Sequence, residues 1–307
     1  MMNNYDSRFL NSEGMTEVSL SEELLYKKLL RKNQNIMNFI TNVSHDLRTP
    51  LSVILNTIKV SIMHINNSIL PDDDKKNHLK YLSIIQQNSY RMLRLFNSIL
   101  EVVNIESDGE TLILQNQDIV NIIRNIYTSI EQLGISNNIN LNFSSTLDYK
   151  MMAIDPDKIE RIILNLLTNS FKHTNPGGEI CLTLTEEDKN LKISVKDNGA
   201  GIPHEQLDLI FEKFQKGGKI YDNVYCKGIG IGLYVVKLFV ELHNGHIEVN
   251  SEEGIGTEFI ITLPVRLIEE STDTLCLRNE VCDNKIIETI NIEFSDVYNV
   301  NSVSIHN

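Results

Sequence analysis

Two long segments with apolar residues at heptad spacing constrain the fold of this chain more than any other feature. A turn at Pro71 and the acidic residues 72–74 separates them. The stripe positions are Ile36, Ile40, Val43 and Leu47, then Leu51, Leu55, Ile58, Ile62, Ile65 and Ile69, and finally Leu79, Leu82, Leu93, Phe96, Leu100 and Val103. This spacing predicts two antiparallel helices, each with one buried face. Because one hairpin leaves much apolar surface in water, we expect two hairpins to pair as a four-helix bundle in a homodimer.

His45 lies on the polar side of the first predicted helix. At roughly 100° per residue it lies about 200° from the stripe residues two positions before and after it, so its imidazole faces solvent. Asp46 adjoins it, Thr49 shares its side of the helix, and Pro50 predicts a kink. A neutral imidazole, with an ordinary pKa of about 6.5, has a free lone pair, and a neighbouring carboxylate selects the tautomer that presents it. The alternative is a surface His-Asp pair without a function.

Residues 39–51, with the sequence FITNVSHDLRTPL, resemble the H box of the sensor histidine kinases of two-component systems. The resemblance implies that His45 is the phosphoacceptor and that Asp46 orients it and draws off its proton. Thr49 matches a position where related kinases carry a residue that aids dephosphorylation of the partner. The implied partner is a response-regulator receiver domain, docked along the bundle, which accepts the phosphoryl group on an aspartate.

Composition narrows the class of protein. A chain of 307 residues allows about two domains, and its net charge of -13 argues against nucleic acid as a direct partner. The four cysteines show no Cys-x-x-Cys spacing, which fits unbridged thiols in a reducing cytoplasm. No apolar run approaches the roughly 20 residues that span a bilayer, so we expect a cytoplasmic chain without a transmembrane segment. Since sensor kinases of this kind are often membrane-anchored, the chain is either a soluble kinase or lacks its anchor. Membrane association through a partner stays open.

A polar stripe marks the helix predicted over residues 157–173, and no Walker-type P-loop occurs in the chain. The stripe consists of Asn165, Asn169, Lys172 and His173. It resembles the N box of the Bergerat ATP site, which histidine kinases share with gyrase and a heat-shock chaperone. The resemblance implies that Asn169 binds Mg²⁺ through its amide oxygen, that Asn165 and Lys172 lie near the phosphates of ATP, and that His173 replaces the usual aromatic residue. The alternative is a solvated helix face.

Asp197 continues the inward, apolar side of a strand that begins near Leu191. A buried carboxylate needs a bonding partner, and the plain alternative is a hairpin turn at Asp-Asn-Gly. The Asp-x-Gly-x-Gly pattern resembles the family's first glycine box. By that resemblance Asp197 accepts a hydrogen bond from the adenine amine, and Gly199 and Gly201 let the backbone approach the ring.

Three further segments extend the resemblance. Residues 211–214 are similar to the F box, with Phe214 in it, and a polar stretch over residues 215–227 predicts a mobile lid in which Lys216 suits phosphate contact. Glycines directly before a helix favour bound phosphate, because the first N–H groups of the helix are free. The Gly-x-Gly-x-Gly spacing argues against a Rossmann fingerprint. The binding residues that the resemblance implies here are Gly228, Gly230, Gly232 and Leu233. Thr257 lies in a segment like the last glycine box and is implied to contact adenine through water.

The predicted architecture is multidomain. An all-α hairpin that forms a dimeric four-helix bundle precedes an α+β Bergerat-type ATP-binding sandwich, a mixed sheet with helices on one face. The predicted domains are a polar, partly helical lead-in over residues 1–33, the dimerisation and phosphotransfer hairpin over 34–108, the catalytic domain over 109–267 and a tail over 268–307. Alternation of Ile290, Ile292 and Phe294 with polar residues predicts a single strand in the tail.

The resulting hypothesis is an ATP- and Mg²⁺-dependent protein histidine kinase that phosphorylates itself on His45 and passes the phosphoryl group to a response regulator. Two alternatives stay open. One is a bifunctional or phosphatase-dominated regulator of the response regulator, which needs the same residues. The other is a Bergerat ATPase of another class, which would explain Asn169 and Asp197 but leaves the H box and the paired stripes without a role.

Overall fold

The computed structural model of the chain describes residues 51–67, 71–106, 111–212, 230–269 and 282–297. Two helices, α1 (residues 51–66) and α2 (Asp72–Glu106), follow one another and pack together. Leu51, Leu55, Tyr90 and Leu93 form a buried apolar cluster between them. The predicted helical hairpin is therefore confirmed over these residues. His45, Asp46 and Thr49 lie outside the described ranges.

The second domain is built on a five-stranded mixed sheet. Its strands are β2 (Asn140–Ser145), β4 (Glu179–Glu187), β5 (Asn190–Asp197), β6 (His246–Glu252) and β7 (Gly256–Pro264), in the order β2-β4-β5-β7-β6. The pairing of β2 with β4 is parallel and the other pairs are antiparallel. A separate antiparallel pair joins β1 (Gln115–Asp118) to β3 (Met151–Ile154). The predicted α+β architecture with a mixed sheet is confirmed.

Three helices pack around one apolar core with this sheet, namely α3 (Ile119–Ser136), α4 (Pro156–His173) and α5 (Gly232–Leu242). Asp118 caps α3, since its Oδ1 accepts a hydrogen bond from the backbone N–H of Val120 at 3.2 Å. Inward residues of β5 alternate with polar ones, and Leu191 and Val195 are fully buried. This period of two carries the strand to Asp197, whose side chain consequently also faces inward.

The prediction of a strand in the C-terminal tail is wrong. Residues Cys282–Glu293 form a helix, α6, and Phe294–Asp296 continue it as a 3₁₀ turn. Ile290 and Phe294 are four residues apart, so a helix places both on one face, and that face is buried against the domain core. Alternation over five residues fits a strand, but these side chains also satisfy helical spacing, and tertiary packing decides for the helix.

Within the described ranges, every helix is too short or too polar to cross a bilayer.

Candidate functional site

Helix α4 carries the predicted polar stripe. It begins with Pro156 after the N-cap Asp155, whose Oδ1 accepts from the backbone N–H of Lys158 at 3.2 Å. Ten of its residues are buried, whereas Asn165, Asn169 and Lys172 are half-buried. Because these three side chains recur at steps of four and three, they share one side of the helix. The predicted stripe is therefore accessible along the edge of the packed face.

Asp197 ends β5 as a buried carboxylate that is 6% exposed. Its Oδ2 accepts a hydrogen bond from the Ser170 hydroxyl at 3.0 Å, and its Oδ1 accepts one from the Gly199 backbone N–H at 3.0 Å. These bonds offset the cost of burying the charge. They also fix the carboxylate beside the C-terminal turn of α4, because Ser170 lies on that helix.

Thr257 on β7 lies opposite Asp197 in the strand register. It is buried, and its hydroxyl is 2.8 Å from the Ser251 hydroxyl. The Ser251 oxygen also accepts a hydrogen bond from the backbone N–H of Ile202, at 2.8 Å. One hydrogen-bonded group therefore links the end of the first glycine box to the last one, as expected if both contribute to one site.

The glycines of the first box are required by the protein's own packing. A Cβ at Gly199 would lie 2.3 Å from the His173 carbonyl oxygen, and one at Gly201 would lie 2.0 Å from the Glu252 carbonyl oxygen. Gly201 also has a φ of +68°, which disfavours other residues. Close approach of backbone to backbone accounts for both glycines here, while their approach to a ligand ring stays a prediction.

The glycine box before α5 meets the polar stripe of α4. A Cβ at Gly232 would lie 2.9 Å from Oδ1 of Asn165, so the N-terminus of α5 is directly beside that amide. Asn165 itself donates to the Arg161 carbonyl oxygen at 2.9 Å. Gly230 has a φ of +75° and Leu233 packs against the domain core. The free N–H groups of a helix N-terminus at this point favour an anion between α4 and α5.

Lys172 is the one member of the stripe with a strongly perturbed environment. Burial and the charge of Arg94 lower the pKa of its ammonium to about 8, against the opposing effect of Asp296. Its Nζ lies 3.1 Å from the Asp296 carboxylate. His173 is exposed, and partial desolvation together with the Lys172 charge holds the pKa of its imidazole below the ordinary value. These effects favour the neutral form of the imidazole over its protonated form.

Two structural contributors to this region were not predicted. Ser170 lies on the packed side of α4 by periodicity, and its bond to Asp197 joins residues that are 27 positions apart. His243 ends α5 with both ring nitrogens engaged, since Nδ1 is 2.7 Å from the Phe239 carbonyl oxygen and Nε2 accepts from the Asp155 N–H at 3.1 Å. A hydroxyl on an otherwise apolar helix face was the available signal for Ser170. The His243 sequence context gave none.

The structure brings together the stripe of α4, Asp197 with its glycines, the start of α5 and Thr257. Phe214, Lys216 and Gly228, with the predicted lid, lie outside the described residues. Within the described residues no three acidic, histidine or cysteine side chains form a metal-binding group.

Sequence models of two families match the chain. The model for "His Kinase A (phospho-acceptor) domain" matches residues 36–108, and the model for "Histidine kinase-, DNA gyrase B-, and HSP90-like ATPase" matches residues 154–267. The chain belongs to the histidine kinase family. The first match covers the α1/α2 hairpin, and the second covers α4, β4, β5, α5, β6 and β7. The second domain is accordingly an ATP-binding domain of that kind.

Two similar proteins are named as a histidine kinase and as a sensor protein. The chain is 31% identical over 261 residues to histidine kinase P4 of Formosa agariphila, covering 84% of this chain and 18% of that protein. It is 32% identical over 227 residues to the sensor protein SrrB of Staphylococcus aureus, covering 74% of this chain and 38% of that protein. This histidine kinase chain therefore spans well under half the length of these relatives.

The fold also resembles a solved structure, that of full-length ShkA in complex with AMPPNP. The TM-score is 0.60 at 23% identity, and the match covers 75% of this chain and 46% of ShkA. At that identity the likeness supports the shared fold of the hairpin and the ATPase domain.

Proposed function

We propose that this chain is a protein histidine kinase that transfers the γ-phosphoryl group of ATP to His45 and then to an aspartate of a response-regulator receiver domain. The observation that carries the proposal is the joining, in one chain, of a phosphoacceptor hairpin and an ATPase domain whose Asp197 is bonded in place beside the stripe of α4. If the chain were a Bergerat ATPase of another class, the helical hairpin would have no role.

The nucleotide would lie along α4. At one end the Asp197 carboxylate accepts a hydrogen bond from the adenine amine, and it is oriented to do so because Ser170 and Gly199 fix it. Thr257 lies beside Asp197 at this end. At the other end the N-terminus of α5 and Asn165 receive the phosphates. Asn169 and Lys172 lie between or next to these points on the same helix. Phe214 and Lys216 are assigned to nucleotide contact from the sequence resemblance alone, because both lie outside the described residues.

Magnesium fits this donor set. Mg²⁺ keeps several waters and binds through one or two protein oxygens together with substrate phosphates. The described part of the site offers the amide oxygen of the half-buried Asn169, which suits such a partial shell. When bound there, the ion would neutralise charge that develops on the β- and γ-phosphates.

The chemical step asks the protein mainly for alignment. A ring nitrogen of His45 forms a bond to the γ-phosphorus while the bond from that phosphorus to the bridging oxygen breaks, and ADP leaves. Asp46 holds the imidazole in the reactive tautomer and takes up the proton. The receiver aspartate then attacks the same phosphorus while the bond from that phosphorus to the ring nitrogen breaks, and the proton held by Asp46 returns to the ring, so that His45 is neutral again. Thr49 positions a water for removal of the phosphoryl group from the regulator.

Labelling with γ-labelled ATP tests this function. The wild type should take up acid-labile label, whereas His45→Ala should take up none, because phosphohistidine forms only at that ring. His64→Ala is the matched control, since His64 is an exposed residue of α1 and should not alter labelling. Acid-stable label, or label that persists in His45→Ala, would point to a different class of Bergerat ATPase.

A further inference from the structure

The C-terminal segment, residues 282–297, packs against both domains although it lies beyond the matches to the two families. Phe294 is completely buried and its ring contacts the ring of Phe171 on α4 edge to face, at a centroid distance of 5.4 Å. Ile292 packs on the apolar cluster between α1 and α2. One short segment thus bridges the ATP-binding helix α4 and the phosphoacceptor hairpin.

Ion pairs reinforce this bridge. The Asp296 carboxylate, 9% exposed, lies 2.9 Å from Nε of Arg91 and 2.7 Å from an Nη of Arg94, both on α2, as well as near Lys172 on α4. Burial alone would raise the pKa of Asp296, but Arg94, Lys172 and Arg91 hold it below its ordinary value. The carboxylate is therefore charged and is shared between the two domains.

Backbone contacts and a second acid fix the segment further. Glu293, 2% exposed, forms an ion pair with Arg161 of α4, and Arg161 also pairs with Glu101 of α2. The side chain of Arg94 donates to the Glu293 carbonyl oxygen at 2.8 Å, and the Gln87 amide donates to the Ser295 carbonyl oxygen at 3.0 Å. Removing one partner of a buried ion pair leaves a buried charge uncompensated, so these pairs oppose separation of the segment from α2 and α4.

Asp296 engages a residue of the nucleotide site. The sequence resemblance implies that Lys172 lies near the phosphates of ATP. Its ammonium here binds a carboxylate oxygen, which has the charge and hydrogen-bonding character of a phosphate oxygen. The carboxylate and a nucleotide phosphate would compete for this lysine. In addition, a catalytic domain tied to α2 cannot swing freely toward His45.

We propose that residues 282–297 are an autoinhibitory clamp that pins the ATPase domain to α2, with Asp296 standing in for a phosphate oxygen at Lys172, so that binding of ATP and release of the clamp favour each other. The clamp rests on the proposed kinase function for its effect on phosphorylation, but its effect on nucleotide affinity does not depend on that function. Because coupling of this kind is reciprocal, bound ATP should weaken docking of the segment by the same factor by which release of the segment strengthens ATP binding.

Two variants of the full chain test the clamp. Asp296→Asn removes the competing charge, and Ile292→Ser weakens docking on the hairpin while leaving the charge in place. Each should bind ATP with magnesium more tightly than the wild type and autophosphorylate faster, by about fivefold or more if the coupling is of ordinary size. Asp148→Asn, which changes an exposed acid on the loop between β2 and β3, is the control for charge and should match the wild type.

Hydrogen exchange of the full chain gives a direct readout. Amides of residues 286–297 should exchange faster in wild type when ATP with magnesium is added. Unchanged exchange, together with ATP affinities of Asp296→Asn and Ile292→Ser equal to that of Asp148→Asn, would overturn the clamp. A higher ATP affinity for Asp296→Asn without a higher affinity for Ile292→Ser would also overturn the clamp, since removal of a negative charge near the site is enough to explain that result. If neither the wild type nor any variant took up phosphoryl label from ATP, the kinase function would be overturned instead. ATP affinity and hydrogen exchange of residues 286–297 would then still test the clamp.

Discussion

At the residue scale, Asp197 shows how a buried acid is held in one orientation. Sequence alternation places it on the inward side of β5, and this much was predictable from the strand period. The hydroxyl that holds its Oδ2 comes from α4, which is distant in sequence, so local patterns could not reveal it. The carboxylate keeps a fixed orientation because both oxygens have a partner within the protein.

Ser170→Ala should weaken ATP binding. The change leaves Oδ2 of Asp197 without its donor in a buried position, which costs about 1–3 kcal/mol, partly in nucleotide affinity and partly in stability. Titration calorimetry with ATP should show about a tenfold rise in the dissociation constant. Ser129→Ala removes an exposed hydroxyl that bonds within α3 and serves as the control. Equal affinities for the two variants would show that Ser170 does not orient Asp197.

His243 makes the stability of the protein depend on pH. Burial lowers the pKa of its imidazole, against the opposing effect of the Phe239 carbonyl oxygen, so the folded state disfavours the protonated ring. The unfolded chain binds the proton with a pKa of about 6.5, and stability is therefore full above that pH and falls as the pH drops below it.

Urea titrations between pH 5 and 8 measure this dependence. The wild type should lose free energy of unfolding below about pH 6.5 with a slope of up to roughly 1.4 kcal/mol per pH unit from this group. His243→Asn should be less stable throughout but should show a shallower slope. His246→Asn, at the exposed start of β6, should keep the wild-type slope. Parallel curves for wild type and His243→Asn would contradict the assignment.

At the element scale, segments with a sustained period were predictable, whereas the five-residue alternation in the tail was misleading. The helix predicted over residues 157–173 corresponds to α4 with one residue added, and the strand leading to Asp197 corresponds to β5. The strand order was not accessible, because β2 pairs with β4 across the whole of β3 and α4. The prediction of a strand in the tail was wrong for a different reason. A five-residue alternation is compatible with both a strand and a helix, and only burial of Ile290 and Phe294 selects the helix.

Phe294→Ala tests whether the tail helix is an integral part of the fold. Removing a fully buried aromatic side chain that packs on Phe171 should cost about 3–5 kcal/mol of unfolding free energy. The midpoint of urea unfolding measures this loss. Ile287→Ala on the preceding helix α6 is the control because Ile287 is 53% exposed, and its effect should be within about 0.5 kcal/mol. A midpoint for Phe294→Ala equal to that of the control would place the tail outside the cooperative unit.

At the scale of the whole molecule, the hairpin keeps apolar surface that its own packing does not bury. On α2 the side chains of Tyr81, Ile85 and Met92 are exposed by 65%, 48% and 45%, and on α1 those of Val53, Val60 and Met63 are exposed as well. Exposed apolar residues at helical spacing mark an interface with another helix. This surface agrees with the expected homodimer, in which two hairpins form one bundle.

Ile85→Glu should therefore shift the protein from dimer to monomer. A charge placed in the apolar seam of a bundle loses its solvation without gaining a partner. Sedimentation equilibrium measures the change in mass, and Lys80→Glu, which exchanges one exposed charge for another on the same helix, should leave the dimer intact. A wild type that is monomeric at high concentration would contradict the bundle outright.

The proposed kinase places a phosphoryl group on a single imidazole, supplied by a nucleotide held along α4. Site-resolved mass spectrometry of the full chain, incubated with ATP and magnesium and kept at alkaline pH, detects this phosphoryl group at its position. We expect one phosphoryl group per modified chain, located on His45 and absent from Asn169→Ala. A phosphoryl group on a serine or threonine, or an unmodified chain that nevertheless binds ATP tightly, would contradict it.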